Sequence, residues 1–504
     1  MKAFVNTLLI LALLVLFQGC DSIIESPEPS TSVSQEGALS TPDAIQGIRS
    51  SMYARFHPED MSTDWLLGPS ALADGTFFRG NQGRHQGLNL NQLRAGIGTG
   101  TYGDLYSLIN DANILISGIE EGVLPESEAN KLRAEGLFMR AMALHHAVRI
   151  FGYDPDGQGG VVSPASGVGS GFELGVEIRT EPTLAVADAT PTPRSTVSEV
   201  YTQIVGDLEE SVSIFSDLPG DALESSPFFV SEAAAQALLA RVSLYQRNWA
   251  EADTRAQNAI DEAAASFGSG LASGTDGLTD IFDETSGSNP EAIFTISTNP
   301  VTESAGVNDA IAAYTSVQWL AQLPTQDLID LYEADDARLD AWFEPCFDEV
   351  NSVKPTGCDL INDDGFELAK WSAEQSPSQY ADDYVHLRAG EMYLIQAEAR
   401  LNTVGVAAAI SRLNDLRAER GASELNPADY DRETTYDAIL DERRRELVAE
   451  GHRFFDLKRL GRDIRKAPET GRDDVTFNSF RILDDLPSDQ LEVNPELVQN
   501  PGYQ

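Results

Sequence analysis

Helical segments that come in pairs are the feature of this chain that most restricts its fold. The clearest pair lies between Ser231 and Ile260, where two helical patterns are separated by the polar stretch 246–248. Alanine is frequent in both segments, and such small side chains allow two helices to pack closely. Stacked pairs of this kind build tetratricopeptide-like scaffolds, although no strict repeat of about 34 residues is visible. We therefore predict an all-α-dominated fold, a tetratricopeptide-like helical-pair scaffold with long irregular loop insertions.

Further segments have the apolar periodicity of amphipathic helices. They cover residues 41–56, 102–119, 132–151, 195–215, 389–401 and 406–420. Thr41 precedes Pro42, an order that is typical of the first turn of a helix. Gly421 follows the last of these segments, at a position where glycine commonly ends a helix. Each segment is therefore predicted to be one helix of the scaffold.

A basic segment near the C-terminus stands out in a chain whose net charge is −45. Residues 441–466 contain nine Lys or Arg and six Asp or Glu. Apolar residues repeat every seven positions from Leu440 to Phe454, with the spacing of a helix that has one buried face. The pattern predicts a single amphipathic helix over 439–461.

Five ionisable residues of this segment allow two interpretations. They are Glu442, Arg443, His452, Arg453 and Asp456. They can be drawn as a catalytic group, or as a buried ion network that locks the last helix to its neighbours. A carboxylate-rich chain needs positive partners for any carboxylate that it buries. We favour the ion network.

The acidic composition excludes several kinds of partner. The chain has 80 Asp and Glu against 35 Lys and Arg. Binding to nucleic acids or to anionic membrane surfaces requires a basic face. We therefore expect no nucleic-acid partner.

The first forty residues predict export and a lipid anchor. Lys2 precedes an uncharged apolar run over 8–17, and Gly19-Cys20 follows it. The run is shorter than the roughly 20 residues of a spanning helix and has the layout of a secretory signal. We predict a lipoprotein signal peptide over 1–19, a lipidated Cys20 with a flexible tether over 20–40, and one domain over 41–504. The alternative is an ordinary signal peptide with an incidental cysteine.

Two cysteines remain once Cys20 carries lipid. Cys346 and Cys358 flank a stretch with Pro355 and Gly357, and a protein outside the reducing cytosol favours a disulfide across such a loop. Metal or catalytic chemistry is the alternative. No histidine follows the cysteines at ligand spacing and no CxxC motif is present, so we predict no metal site. The sequence also has no P-loop and no dinucleotide-binding fingerprint, and we predict no cofactor.

Two irregular segments carry the residue types that bind sugars. Aromatic rings pack against the CH faces of a sugar, while amides, carboxylates and Arg bind its hydroxyl groups. The candidate ligand-binding residues are Asp74, Phe77, Phe78, Asn81 and Arg84 in the first segment, and Tyr314 and Trp319 in the second. For each aromatic residue taken alone, core packing is the simpler interpretation. Taken together, the two segments favour a ligand role.

Several stretches spread along the chain resemble one family. They are residues 102–113, 135–155, 193–208, 391–418, 442–459 and 487–503. In this order they are similar to the helices and the chain end of the SusD/RagB outer-membrane lipoproteins, with Tyr102 where the family usually has tryptophan. The resemblance covers nearly the whole chain after the tether.

This resemblance implies a function. It implies a cell-surface lipoprotein of the outer membrane that binds nutrient oligomers, chiefly glycans, and delivers them to a SusC-type TonB-dependent transporter. Family members are binders, so no enzyme activity is expected. A RagB-like member that binds peptides and a helical-repeat scaffold for other surface proteins are the alternatives, and a secreted hydrolase ranks third.

Overall fold

The computed structural model describes most of the chain after the predicted tether. It covers residues 39–56, 61–78, 102–152, 174–185, 188–282, 289–298, 310–315, 322–345, 365–371, 382–466, 472–477 and 479–503. This part is dominated by helices, so the predicted all-α-dominated class is confirmed. None of the described helices is long and apolar enough to cross a membrane.

The first half of the described chain consists mainly of long helices. They are α1 Pro42–Ala54, α2 Thr63–Leu72, α3 Tyr102–Ser117, α4 Glu126–Phe151, α5 Val197–Asp217, α6 Glu232–Tyr245 and α7 Trp249–Phe267. Helices that follow one another pack together, as α3 does on α4 and α6 on α7. Gly136 explains the close approach of the first pair, because a Cβ there would lie 2.9 Å from the carbonyl oxygen of Ala112.

The second half begins with short helices and ends with the C-terminal scaffold. Its helices are α8 Gly274–Thr279, α9 Ile311–Thr315, α10 Gln326–Ile329, α11 Ala337–Trp342, α12 Ala389–Thr403, α13 Val406–Glu419, α14 Arg432–Glu446, α15 Arg453–Arg459 and α16 Ser488–Val493. Helix α12 packs on both α7 and α13 and so joins the two halves of the scaffold. Gly421 has φ +71° just after α13, as expected for a helix-ending glycine.

Within the described residues, six short strands add three antiparallel pairs to the helices. They are β1 Thr76–Phe78, β2 Ala292–Ile296, β3 Gln322–Pro324, β4 Phe343–Pro345, β5 Phe366–Leu368 and β6 Tyr384–Arg388. Strand β1 pairs with β3, β2 with β6, and β4 with β5. The sequence analysis missed these strands, because each has only three to five residues and two of the pairs join distant parts of the chain.

The predicted single helix over 439–461 is wrong, because the chain turns between α14 and α15. Ala449 and Gly451 have φ values of +58° and +77° in this turn. A Cβ at residue 451 would collide with the backbone carbonyl of Trp65, so the turn lies directly on α2. The three members of the seven-residue apolar repeat are buried, but Leu440 belongs to α14, Leu447 directly follows that helix, and Phe454 belongs to α15.

Candidate ligand-binding site

The β1–β3 pair brings the two predicted ligand segments to one place. Phe78, the last residue of β1, lies opposite Gln322, the first residue of β3. The segment that leaves β1 and the segment that enters β3 therefore start from the same end of this pair. Asn81 lies three residues after Phe78, and Trp319 lies three residues before Gln322.

Side-chain hydrogen bonds fix this pair to the end of α2. The Thr76 hydroxyl donates to the carbonyl oxygen of Ser70 at 2.9 Å. The Gln322 side-chain amide donates to the Thr76 hydroxyl oxygen at 2.8 Å and to the carbonyl oxygen of Leu67 at 3.2 Å. The ends of the two segments are thus held on a rigid support.

The aromatic residues predicted for this region are buried where the structure describes them. Phe77 packs against Leu323 and exposes 5% of its surface. Phe78 and Tyr314 expose 2% and 1%, and their rings meet edge to face at 6.2 Å. Buried rings such as these pack in the interior and do not offer an open face to a ligand. Their direct contact with a ligand stays a prediction.

Asp74 also has a structural partner. It accepts two hydrogen bonds from Arg453, at 2.8 and 2.7 Å, and lies 3.7 Å from Arg444. Burial alone would raise the pKa of this carboxyl, but the two guanidinium groups outweigh it and lower the pKa to about 2. Asp74 therefore fastens the C-terminal segment to the start of β1.

The remaining predicted residues lie outside the part of the chain that the structure describes. They are the lipidation residue Cys20, the ligand residues Asn81, Arg84 and Trp319, and the disulfide pair Cys346 and Cys358. Both of the latter cysteines belong to the connection between β4 and β5, which pair as antiparallel strands. All of these assignments stay predictions.

A polar cleft of about 440 Å³ opens beside α3. We use this name for the opening lined by Arg55, Tyr102, Tyr106, Asn110, Asp111, Glu177, Arg179, Glu181 and their neighbours. Tyr102 is also the first residue of α3, where the segment after β1 rejoins the described chain. The sequence analysis did not assign this cleft, because its walls come from four separate parts of the chain.

Two tyrosines form the inner wall of the polar cleft. Both hydroxyls donate to the Glu177 carboxylate, and that of Tyr106 also donates to the Glu177 carbonyl oxygen at 2.9 Å. Burial raises the pKa of both tyrosines, and the neighbouring carboxylate raises the pKa further. The hydroxyls therefore stay protonated and continue to donate.

Charged side chains form the outer wall of the polar cleft. Arg55 donates to Asp111 at 2.8 Å, while a third of its side chain remains exposed. Asn110 bonds the backbone of Thr183 in both directions and so fixes the segment that carries Arg179. This arrangement of N–H groups and carboxylate oxygens can bind a hydroxyl-rich ligand.

An apolar groove of similar volume, about 440 Å³, opens beside α1. Its wall contains Tyr53, Phe228 and Phe229, with Arg49 and the end of β2. The side chain of Phe228 is 37% exposed. The rings of Tyr53 and Phe229 meet edge to face, with their centroids 5.6 Å apart. The groove thus offers an aromatic surface to solvent.

The C-terminal segment forms a buried ion network, as predicted. Glu446 accepts hydrogen bonds from Arg338, Arg388 and Arg420 at 2.6–3.0 Å. Each of these four side chains is at most 1% exposed. Burial would raise the pKa of Glu446, but Arg420 and Arg388 outweigh it and hold the pKa well below its usual value.

Two further carboxylates of the segment also pair with arginines. Glu442 pairs with Arg338, Arg417 and Arg445, and Asp456 pairs with Arg443 and Arg459. Every one of these carboxylates is buried and paired, so none is available as a general acid or base. The charge reversal in the sequence is explained by these internal partners.

Two lysines of the C-terminal segment bind the ends of helices. Lys458 donates to the carbonyl oxygens of Arg149 and Gly152 at the end of α4, at 2.5 and 2.7 Å. Lys466 donates to the carbonyl oxygens of residues 71–73 at the end of α2. Cations at such positions satisfy carbonyl groups that have no partner within the helix. They anchor the C-terminal segment to the helices that support the site.

The adjacent histidines of α4 belong to the interior. His145 and His146 are each 1% exposed, and His146 stacks on Trp65 at 3.8 Å. Burial lowers the pKa of both, so both are neutral at pH 7. Within the described ranges, no three His, Cys, Asp or Glu side chains are grouped so that they could hold a metal ion.

Sequence models of two related families match the chain. Residues 70–244 match a family described as starch-binding and associating with the outer membrane, and residues 350–503 match the SusD family. The chain belongs to the SusD/RagB family. The resemblance inferred from the sequence is therefore confirmed.

Relatives of this SusD/RagB family member align over nearly its full length. SusD-like protein P2 of Formosa agariphila is 26% identical, and the alignment covers all of both chains. The crystal structure of a putative sugar-binding protein from Bacteroides vulgatus is 25% identical, with a TM-score of 0.74 over 93% of this chain and all of that chain. A laminarin-binding SusD-like protein is 21% identical and shares the fold, with a TM-score of 0.70 over 92% of this chain and all of that chain.

Proposed function

We propose that this SusD/RagB family member is a cell-surface lipoprotein that binds glycans and passes them to a SusC-type TonB-dependent transporter. Cys20 carries the lipid that holds it to the outer membrane. The protein acts as a binder rather than as an enzyme. Membership of a family in which one matching model is described as starch-binding and outer-membrane-associated supports the proposal.

One observation carries the assignment of the binding site. The segment over 79–101 leaves β1 beside the start of β3 and rejoins the described chain at Tyr102, in the wall of the polar cleft. It therefore joins the end of the β1–β3 pair to an open cleft rich in hydrogen-bonding groups. We propose that Asn81, Arg84 and Trp319 bind the ligand together with the polar cleft.

The chemistry of the polar cleft suits a neutral glycan. Arg55 and Asp111 form an ion pair at its mouth, and such a pair can exchange hydrogen bonds with adjacent hydroxyl groups of a sugar ring. The net charge of −45 disfavours anionic ligands. The same two arguments rank a neutral oligosaccharide above an acidic peptide.

A binding experiment tests this proposal. The soluble form over 21–504 is screened on an array of glycans and peptides, with laminarin and starch as the first probes, and hits are measured by calorimetry. We expect Trp319→Ala and Arg179→Ala to weaken glycan binding about tenfold, since one lost ring or charged hydrogen bond costs about 1.4 kcal/mol. Val404→Ala, at a position that is 74% exposed in the turn after α12, is the control and should change nothing.

The outcomes separate the candidate functions. Binding of peptides alone would replace the glycan proposal with the RagB-like alternative. Absence of any binding would favour a scaffold role, and cleavage of a bound polysaccharide would establish a hydrolase. Glycan binding that neither variant weakens would place the site elsewhere on the protein. For the anchor, Cys20→Ser should release the protein from outer membranes, and retention of this variant would contradict the lipid assignment.

A further inference from the structure

Helix α1 separates the polar cleft from the apolar groove. Arg55 lines the polar cleft, and Tyr53 lines the apolar groove. Successive residues of an α-helix are rotated by about 100°, so these two positions face about 200° apart around α1. The two openings thus lie on opposite sides of one helix, whose diameter with side chains is about 10–12 Å.

The ridge of α1 between the openings is low. Gly47, Ser50 and Ala54 are exposed along it, and all three residues are small. Ser50 and Ala54 also belong to the lining of the apolar groove, and Ser51 donates to Asp111 in the polar cleft at 3.0 Å. A ligand that leaves one opening over this ridge would therefore meet no large side chain from these positions before it reached the other.

The charge in the wall of the apolar groove is compensated, and its side chains are held by an ion pair and a hydrogen bond. Arg49 pairs with Glu135 at 2.7 Å and lies over the Phe229 ring at 4.5 Å, so its charge is already compensated. The Tyr53 hydroxyl accepts a hydrogen bond from the Val230 amide at 2.9 Å. Side chains held in this way lose little freedom when a ligand arrives.

We propose that the apolar groove is a second glycan subsite, and that one neutral oligosaccharide crosses α1 to occupy both the polar cleft and the groove. The inference rests on the proposed glycan-binding function. Phe228, 37% exposed, supplies an open ring for the CH face of a sugar. The compensated charge of Arg49 and the acidic chain favour a neutral sugar over an anionic one.

Two subsites on one chain of sugars give affinity that depends on length. A short oligosaccharide fills only the polar cleft, whereas a long one also reaches the groove. The second contact is then intramolecular and adds affinity without a second loss of translational freedom. Affinity should therefore rise steeply once the oligosaccharide is long enough to cross α1.

Calorimetry with a size series of one oligosaccharide that binds the intact protein tests the crossing. Phe228→Ala should weaken binding of the long members about tenfold and leave that of the short members within twofold. Leu223→Ala is the matched control, because Leu223 is 40% exposed in the same connection between α5 and α6 but lies outside the groove lining. Leu223→Ala should leave the binding of both the long and the short members unchanged. Oxidative footprinting of Phe228 in the unmodified protein gives a second measurement, and long members alone should protect the ring.

Each result has a distinct meaning. If the intact protein binds no glycan of any length, the proposed function itself fails. If it binds glycans but Phe228→Ala has no effect at any length and Phe228 is never protected, only the second subsite is refuted. An equal loss for short and long members would refute the crossing, because the groove would then be the primary site.

Discussion

Replacement of Asp74 by asparagine tests whether this residue serves structure or ligand. Its carboxylate is paired with Arg453 and is 13% exposed. The pKa falls from the ordinary 3.8 to about 2 in the folded protein. Since one pKa unit corresponds to 1.36 kcal/mol, the ionised carboxylate contributes about 2.4 kcal/mol at pH 7. We expect Asp74→Asn to lower the free energy of unfolding by about 2–3 kcal/mol.

The dependence on pH follows from the direction of this pKa change. A carboxyl with a lowered pKa contributes its full stability above the unfolded value of 3.8 and loses it as the pH falls towards 2. The difference between the native protein and Asp74→Asn should thus be largest at pH 5–7 and shrink between pH 4 and 2. Taking the difference removes the contributions of other carboxyl groups that titrate in both proteins.

The assay is urea unfolding followed by circular dichroism at several pH values. Asp217→Asn is the control, because Asp217 is exposed at the end of α5, and it should change stability by less than about 0.5 kcal/mol. A destabilisation by Asp74→Asn that is unchanged from pH 7 to pH 3 would refute the ion-pair argument. A loss of glycan affinity without loss of stability would return Asp74 to the ligand site.

Three further substitutions test other parts of the structure by the same unfolding assay. Gly451→Ala should lower the free energy of unfolding by about 3 kcal/mol or more, since φ is +77° and a Cβ would collide with the backbone. Gly206→Ala is the control: this position in α5 has open space around it, so the change should raise the free energy of unfolding by about 0.5–1 kcal/mol. Equal effects of the two changes would refute the tight-turn argument. Glu446→Gln should lower the free energy of unfolding by about 3–5 kcal/mol. Glu251 is partly exposed, so Glu251→Gln is the control and should lower it by less than about 0.5 kcal/mol. A small loss for Glu446→Gln would show that the buried guanidinium groups find other partners. Burial lowers the pKa of Lys466 from 10.5 to about 8, so between these pH values the unfolded chain binds more protons than the folded protein. The native protein should therefore gain stability relative to Lys466→Met as the pH rises from 8 to 10.5. A stability difference between the two proteins that does not change over this range would contradict the prediction.

Long periodic segments allowed much of the scaffold to be predicted. The two helices on either side of residues 246–248 are present as predicted, because local periodicity determines them, although the second extends to Phe267 rather than ending at Ile260. Ser231 accepts a hydrogen bond from the amide of residue 234 and so starts α6, as its position suggested. The single helix over 439–461 failed for the opposite reason. Its apolar repeat continues through Gly451, and only the contact with α2 reveals the turn.

The candidate site was less predictable than the scaffold. Phe77 and Phe78 have the chemistry of a sugar site, but their burial depends on β3, which is more than 240 residues away. The polar cleft combines Arg55 with α3 and the segment around Arg179, and no local pattern joins these parts. Residue type indicates what a side chain can bind, whereas exposure depends on the tertiary fold. The buried ion network was predictable, because the excess of Lys and Arg over residues 441–466 stands out in an acidic chain.

The ion network makes the folding of this protein depend on a residue that follows its partners in the chain. Glu446 accepts hydrogen bonds from three arginines that precede it by 108, 58 and 26 residues. A nascent or prematurely terminated chain that ends before residue 446 keeps Arg338, Arg388 and Arg420 but lacks their common carboxylate. Burial of a guanidinium group without its partner is strongly unfavourable, so this part of the interior cannot close until Glu446 has been synthesised. Glu446 thus acts as a checkpoint that separates chains that contain it from shorter fragments.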